Sequence, residues 1–353
     1  MTKIVSALIE NGKGEYKKRV FSGIQPTGSL HLGNYFGAIK QFCALQETEE
    51  CFFCIVDMHA ITVHISPSDL KNYILDLAAI FLACGLNPEK SVLFAQSQIS
   101  SHAELAWLLS CVARVGWLNR MVEFKEKAGS NQECASVGLY TYPVLMAADV
   151  LAYRATHVPV GEDQRQHLEL MRDIAEKFNH DYNAPGFFPL PQALVVETAL
   201  RIMSLRDGTV KMSKSDASDY SRINLTDDKD AIAKKIRKAK TDTDVLPENI
   251  DGFHGRPEAR NLMQIQATLL GKSLGDMVSL YAGRQFSALK EDMIMALQEE
   301  LVPVSTEYKK LRQDEEYLVQ ILSNGAERAQ RASKLVLEEV YSMMGMSLRR
   351  LCK

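Results

Sequence analysis

No apolar run in the 353 residues approaches the roughly 20 needed to cross a bilayer, so membrane-spanning functions drop out of consideration. The opening segment Met1–Lys18 has no long apolar stretch and no small-residue cleavage site. Its charges are scattered (Lys3, Glu10, Lys13, Glu15, Lys17, Lys18), so a short tail ahead of the first strand is expected rather than a secretory leader. An excess of one charge is lacking too. The 41 basic and 44 acidic side chains leave a net charge of −3 and a pI near 6.3, so any contact with nucleic acid has to be local. Paired cysteines are also missing. The seven (Cys43, Cys51, Cys54, Cys84, Cys111, Cys134, Cys352) are odd in number and lie in apolar segments, which suits buried free thiols in a reducing cytoplasm. Cys51 and Cys54 have the spacing of a zinc half-site. No second ligand pair follows and the pair sits in a strand-like run, so no structural metal is expected. Internal repeats and low-complexity tracts are absent.

What is present is a hydrophobic content of 46%, ample for conventional cores. Val20–Ile24, Cys51–Val56, Val92–Gln96 and Val158–Val160 read as strands bounded by turn residues. Helical stretches lie between them. Ser66, Pro67 and Asp69 mark one helix start, and Gly85 with Pro88 marks its end. Ser101 and Glu104 have the spacing of a capping box ahead of Leu105–Val115. Strand alternating with helix predicts an α/β fold with a parallel, doubly wound sheet that binds ligands beyond the carboxyl ends of its strands. After about Ser221 the strand signals stop. Thr226 and the acids behind it open a helix whose carboxyl end carries Lys234, Lys235, Arg237, Lys238 and Lys240; residues 241–258 read as a loop, and helices run from about Asn261 to Met344. The expected division is a tail at 1–18, an α/β domain at 19–225 and an all-α domain at 226–353.

Two motifs stand at opposite ends of the α/β part. In Phe21–Asn34 an apolar strand enters a turn with Gly28 and then a helix starting near Gly33. Backbone N–H groups there suit an anion, Gly33 permits close approach, and His31 and Asn34 aim at the same place. The other motif, Lys211-Met-Ser-Lys214-Ser215, begins 180 residues after His31. Two lysines and two serines in a glycine-flanked loop make a mobile clamp for a triphosphate, although a solvated charged loop has the same composition.

Together these motifs resemble the HIGH and KMSKS signatures of class I aminoacyl-tRNA synthetases. The first is degenerate, with Asn34 where a second histidine is usual, and this is similar to the tryptophanyl-tRNA synthetase branch of bacterial and organellar type. Further runs resemble that branch: Phe21–Pro26, Val56–Thr62, Phe124–Lys127, Thr141–Asp149 and Val158–His167. The resemblance implies a Rossmann-like catalytic domain with a helical anticodon-binding domain, ATP accompanied by Mg²⁺, tRNA(Trp) as partner, a cytoplasmic homodimer and no membrane. It implies catalysis by His31, Asn34, Lys211 and Lys214. ATP would be held by Gly23, Gln25, His31, Gly33, Asn34, Lys127, Gly161, Asp163 and Gln164, with Lys211, Met212, Ser213, Lys214 and Ser215. Phe21, His59, Tyr142, Met146, Asp149, Val158 and Val160 would line a tryptophan pocket.

Physical reasoning leaves alternatives beside each role. Met146 and the two valines fit a plain core, and His59 fits a satisfied core histidine. Asp149 lies in so apolar a stretch that it requires a partner: an indole N–H, or a salt bridge. Tyr142, Met146 and Asp149 are spaced four and three apart, so they share one helix face. Lys234–Lys240 suits either RNA phosphates or a solvated helix face. Leu105–Leu118 suits either a dimer interface or the core. The competing functions are a tyrosyl-tRNA synthetase, a catalytically silent RNA-binding paralogue and a small nucleotidylyltransferase. Asn34 and the Val158–Gln164 run argue against the first, the retained motif residues against the second, and the long helical segment against the third.

Overall fold

The computed structural model describes residues 16–122, 124, 135–161, 164–194 and 201–346. Five parallel strands, β1 (Arg19–Ile24), β2 (Glu50–Ile55), β3 (Val92–Ala95), β4 (His157–Pro159) and β5 (Gln192–Leu194), form one sheet in the order β3-β2-β1-β4-β5. The chain winds from β1 out to β3, then returns to lay β4 on the other side of β1. That reversal is a topological switch point, with a crevice beyond the carboxyl ends of β1 and β4. Four strands lie within a residue of their expected bounds. β5 escaped the sequence reading because it is three residues long and none of them is fully buried.

Both faces of the sheet are buried, which is why its central strands are apolar throughout. Alternate side chains enter different cores. Val20, Cys51, Phe53, Ile55 and Leu93 join one; Phe21, Phe52, Cys54, Val92 and Phe94 join the other. Cys51 and Cys54, three apart on β2, therefore point to opposite faces and do not converge on a metal. Cys111 corrects the expectation of buried thiols, because it sits exposed in a turn; Cys134 and Cys352 lie outside the described residues.

The helices in chain order are α1 (Leu32–Asn34), α2 (Lys40–Leu45), α3 (Asp57–Ala60), α4 (Pro67–Ala83), α5 (Ser101–Ser110), α6 (Val115–Leu118), α7 (Val137–Leu151) and α8 (Arg165–Asp181). They continue with α9 (Lys229–Arg237), α10 (Pro257–Leu270), α11 (Leu274–Tyr281), α12 (Phe286–Arg312) and α13 (Glu315–Met343). A π-helical turn, Tyr35–Ile39, joins α1 to α2. α4 starts as expected, with Ser66 Oγ accepting the Asp69 N–H at 3.2 Å and Pro67 in the first turn. The capping box of Ser101 and Glu104 does not form. Ser100 precedes α5, Ser101 is buried within it beside Gln330 of α13, and the helix ends at Ser110, so the expected helix 105–115 is split. Among the described residues no helix is long and apolar enough to cross a membrane.

The last helix crosses from one core to the other. Leu318 and Leu322 of α13 belong to the first core, and Ala326, Ala329 and Val340 to the second. Between them α13 passes over edge strand β3. Arg328 Nη1 donates to the carbonyls of Pro88 (2.6 Å) and Ser91 (3.0 Å), and Gly325 lies so close that an added Cβ would stand 1.8 Å from the Leu93 carbonyl oxygen. An otherwise open sheet edge is thereby covered. Gly325→Val must push α13 off β3 and should cost about 2–3 kcal/mol in urea unfolding; a loss under about 0.5 kcal/mol would show that the helix does not depend on this approach.

Candidate active site

β1 delivers the chain to the switch point, and Gly28, at φ +69, turns it back. Leu30–Leu32 then runs antiparallel to Ile223–Leu225, with Leu32 N–H to the Ile223 carbonyl and Leu225 N–H to the Leu30 carbonyl, both at 2.9 Å. The first motif is thus joined by main-chain hydrogen bonds to the segment that follows the second motif. His31, buried, is the N-cap of α1: its Nδ1 accepts the Gly33 N–H at 3.1 Å, while Asn34 Oδ1 accepts the His31 N–H at 3.1 Å. A neutral imidazole accepting at Nδ1 carries its proton on Nε2. A Cβ on Gly33 would lie 3.0 Å from the His31 ring, so the glycine leaves room for this cap as well as for a ligand.

The second motif lies on a hairpin. Met212 N–H bonds to the Ile202 carbonyl (3.1 Å) and Ser204 N–H to the Val210 carbonyl (2.8 Å), while the Met212 side chain is buried as an anchor. The hairpin tip rests on the start of α10, where a Cβ on Gly208 would stand 2.5 Å from the Pro257 backbone. Asn261 of α10 bonds the Met203 backbone in both directions at 3.0 Å. Ser213 and Ser215 bond each other at 2.9 Å, and among the described residues neither Lys211 nor Lys214 forms an ion pair.

Burial, then the positive charges of Lys214, Arg222 and Lys211, push His31 down to about 4. Burial likewise lowers Lys214 to about 8. This corner is thus a neutral N–H donor among three cations. Arg222 was not singled out in the sequence. It follows the motif without belonging to it and donates to the Asp216 carbonyl at 2.9 Å and to Asn224 Oδ1 at 3.2 Å.

On the other side stands Asp149, buried on the same face of α7 as Tyr142 and Met146. It already has protein partners: His59 Nε2 at 2.7 Å, Gln96 Nε2 at 2.6 Å and His102 Nδ1 at 2.7 Å. Burial alone would raise its carboxyl, but His59 and His102 outweigh that and hold it below its ordinary value. Tyr142 bonds His167 Nε2 at 2.6 Å and meets the His59 ring edge-on at 6.2 Å. Phe21 and Val158 are buried in the second core, with Phe21 stacked on Tyr153; Met146 and Val160 are half-buried against it. Gly23 and Gln25 lie exposed at the end of β1, and Gly161 and Gln164 follow β4. Lys127 and Asp163 lie outside the described residues. Gln96, His102 and Tyr153 were missed by the sequence reading; their only signal was polarity inside apolar runs.

The chain's relatives agree with this architecture. The family model described as tRNA synthetases class I (W and Y) matches residues 13–302. A tryptophan–tRNA ligase of Brucella melitensis biotype 1 is 51% identical over 348 aligned positions, covering 94% of this chain and 98% of the relative. The crystal structure of a tryptophanyl-tRNA synthetase from Mycoplasma pneumoniae is similar at a TM-score of 0.82 and 32% identity, over 94% of this chain and 99% of that one. That of Campylobacter jejuni, complexed with ADP and tryptophan, is similar at 0.79 and 34%, over 93% and 99%.

The electrostatics of His31 can be checked directly. An NMR titration of the imidazole resonances should show His31 uncharged at pH 6 and titrating near pH 4. A midpoint at the ordinary value of about 6.5 would contradict the cation-flanked, capping arrangement.

Proposed function

The chain belongs to the tRNA synthetases of class I (W and Y), and we propose that it activates L-tryptophan with ATP to tryptophanyl-adenylate and transfers the amino acid to tRNA(Trp), releasing AMP and pyrophosphate. The observation that carries this reading is a pair of opposite poles beyond the carboxyl ends of one sheet, His31 after β1 and Asp149 held by His59 after β2 and Gln96 after β3. One is the cationic corner at His31, and the other is the buried carboxylate of Asp149.

The tryptophan carboxylate attacks the α-phosphorus of ATP in line and expels pyrophosphate. The protein positions the reactants and neutralises the charge that grows on the leaving group. His31 contributes a neutral Nε2–H donor, and Lys211 and Lys214 contribute charge. Arg222 adds to the same field and holds the end of the loop. Asn34, whose Oδ1 accepts the His31 N–H, keeps His31 in place. Gly23, Gln25, Gly33, Gly161 and Gln164 rim the crevice where adenosine would lie. Nitrogen donors and cations suit phosphate oxygens rather than a divalent metal, so Mg²⁺ arrives with ATP as part of the substrate. In the second step the 2′-hydroxyl of the terminal adenosine attacks the activated carbonyl. Asp149 accepts the indole N–H, beside His59, Tyr142 and Met146.

Residues 226–353 serve the anticodon end of the tRNA. The basic run on and after α9 is largely engaged by protein. Lys235 is buried between Asp219 and Asp227, Arg237 pairs with Glu291, and Lys240 with Glu258. Lys234 and Lys238 lie against Tyr220. The enzyme works in the cytoplasm as a homodimer. In the segment 105–118, Trp107 is 70% exposed and Val115 67%, which supports that stretch as the interface.

Pyrophosphate exchange with each amino acid in turn tests the reading. Tryptophan should support it at least a hundredfold better than tyrosine or phenylalanine, and tyrosine-dependent exchange would sink it. Lys211→Ala and Lys214→Ala should each slow single-turnover adenylation about 10²–10³-fold while barely changing tryptophan binding; rates within threefold of wild type in both would remove the loop from this role. Trp107→Glu with Val115→Glu should convert the dimer to a monomer in sedimentation, and an unchanged mass would place the interface elsewhere.

A further inference from the structure

Three side chains outside every motif, Gln96, His102 and Tyr153, are fully buried and lead to Asp149. Their hydrogen-bond directions can be assigned one by one. Gln96 Oε1 accepts the Met58 N–H at 3.1 Å, which fixes the amide orientation and leaves Nε2 as a donor to Asp149 Oδ1. His102 Nδ1 donates to the same oxygen. In a neutral ring Nε2 is then an acceptor, and it takes the phenol proton of Tyr153 at 2.8 Å. Beyond it burial pushes the Tyr153 phenol up, so at neutral pH it keeps the proton it donates. His59 donates to Oδ2 from the other side. Three donors therefore converge on a carboxylate that can accept about four.

We propose that Gln96, His102 and Tyr153 are specificity-positioning residues, which hold Asp149 ionised and three-quarters satisfied so that only a ring bearing an N–H completes it. The inference rests on Asp149 as the indole acceptor. With the donors in place, a ring lacking N–H leaves one acceptor position of a buried charge empty, and the mismatch is costly. Without them, the desolvated carboxyl takes up a proton and can bond within its own network. A ring lacking N–H then leaves nothing unsatisfied, and discrimination falls. Tyr153 acts through His102: deleting its hydroxyl releases Nε2, and the ring can move its proton away from Asp149.

The measurement is the ratio of kcat/KM in pyrophosphate exchange for tryptophan and for its analogue with sulfur in place of the indole nitrogen, with a melting temperature for every protein. Asp149→Ala tests the underlying reading. If its ratio equals that of wild type, the acceptor assignment and this inference fall together. If Asp149→Ala abolishes the preference, His102→Phe and Tyr153→Phe should each lower the ratio about tenfold, chiefly through KM for tryptophan and not for ATP. His102→Asn, whose amide can donate from the Nδ1 position, should restore it to within about threefold of wild type. Should His102→Phe fail to fold, Tyr153→Phe decides, since it removes a single oxygen. Folded Tyr153→Phe protein that keeps the full ratio overturns the inference and leaves the Asp149 assignment standing.

Discussion

A parallel sheet cannot leave either face in water, and here that constraint governs everything built on it. Alternate residues of β1, β2 and β3 feed two cores, so helices must cover both sides, and α13 must cross the free edge of β3 to serve both. The helical segment after residue 225 is therefore part of the packing of the sheet. Leu318 and Leu322 lie in the first core with strand residues and with α12, and Asn261 pins the hairpin that carries Lys211 and Lys214. The cores leave the carboxyl ends of β1 and β4 as the place where polar groups can gather without breaking either one.

The crevice treats charge differently on its two sides. Near His31 the two lysines, Lys211 and Lys214, form no ion pair among the described residues, Arg222 meets Asp219 at 3.3 Å, and the imidazole is kept neutral by burial and by these three cations. Near Asp149 the opposite holds: one anion is surrounded by polar donors and sealed from water. A ligand with phosphates at one end and a ring N–H at the other would complete both. The first pole offers strong, undirected attraction to an anion; the second offers a directed acceptor in apolar surroundings, the kind of contact that discriminates a ring N–H.

Legibility followed the range of the interaction. The apolar runs of β1, β2 and β3 announced themselves, because two-sided burial demands an uninterrupted pattern. Ser66 and Pro67 predicted the start of α4 because capping is local. Ser101 misled for the complementary reason. Its spacing to Glu104 was right for a cap, but a contact with Gln330 more than two hundred residues away drew it into the helix. Lys235 likewise looked available for phosphate until folding placed Asp219 and Asp227 beside it.

From the sequence alone came the parallel, doubly wound class of the sheet, the two motifs and the face shared by Tyr142, Met146 and Asp149, since each depends on a periodicity, an alternation or a spacing along the chain. The tertiary structure alone decided where the protons sit. His31 Nε2 carries one because Gly33 N–H occupies Nδ1 and burial among cations keeps the ring neutral. Asp149 is not the lone acid that its apolar neighbourhood suggested, because His59, Gln96 and His102 reach it from 47 to 90 residues away. No pattern along the chain encodes such encounters: they arise where separate strands end at the same crevice, and a buried charge there takes whatever donors the fold brings to it.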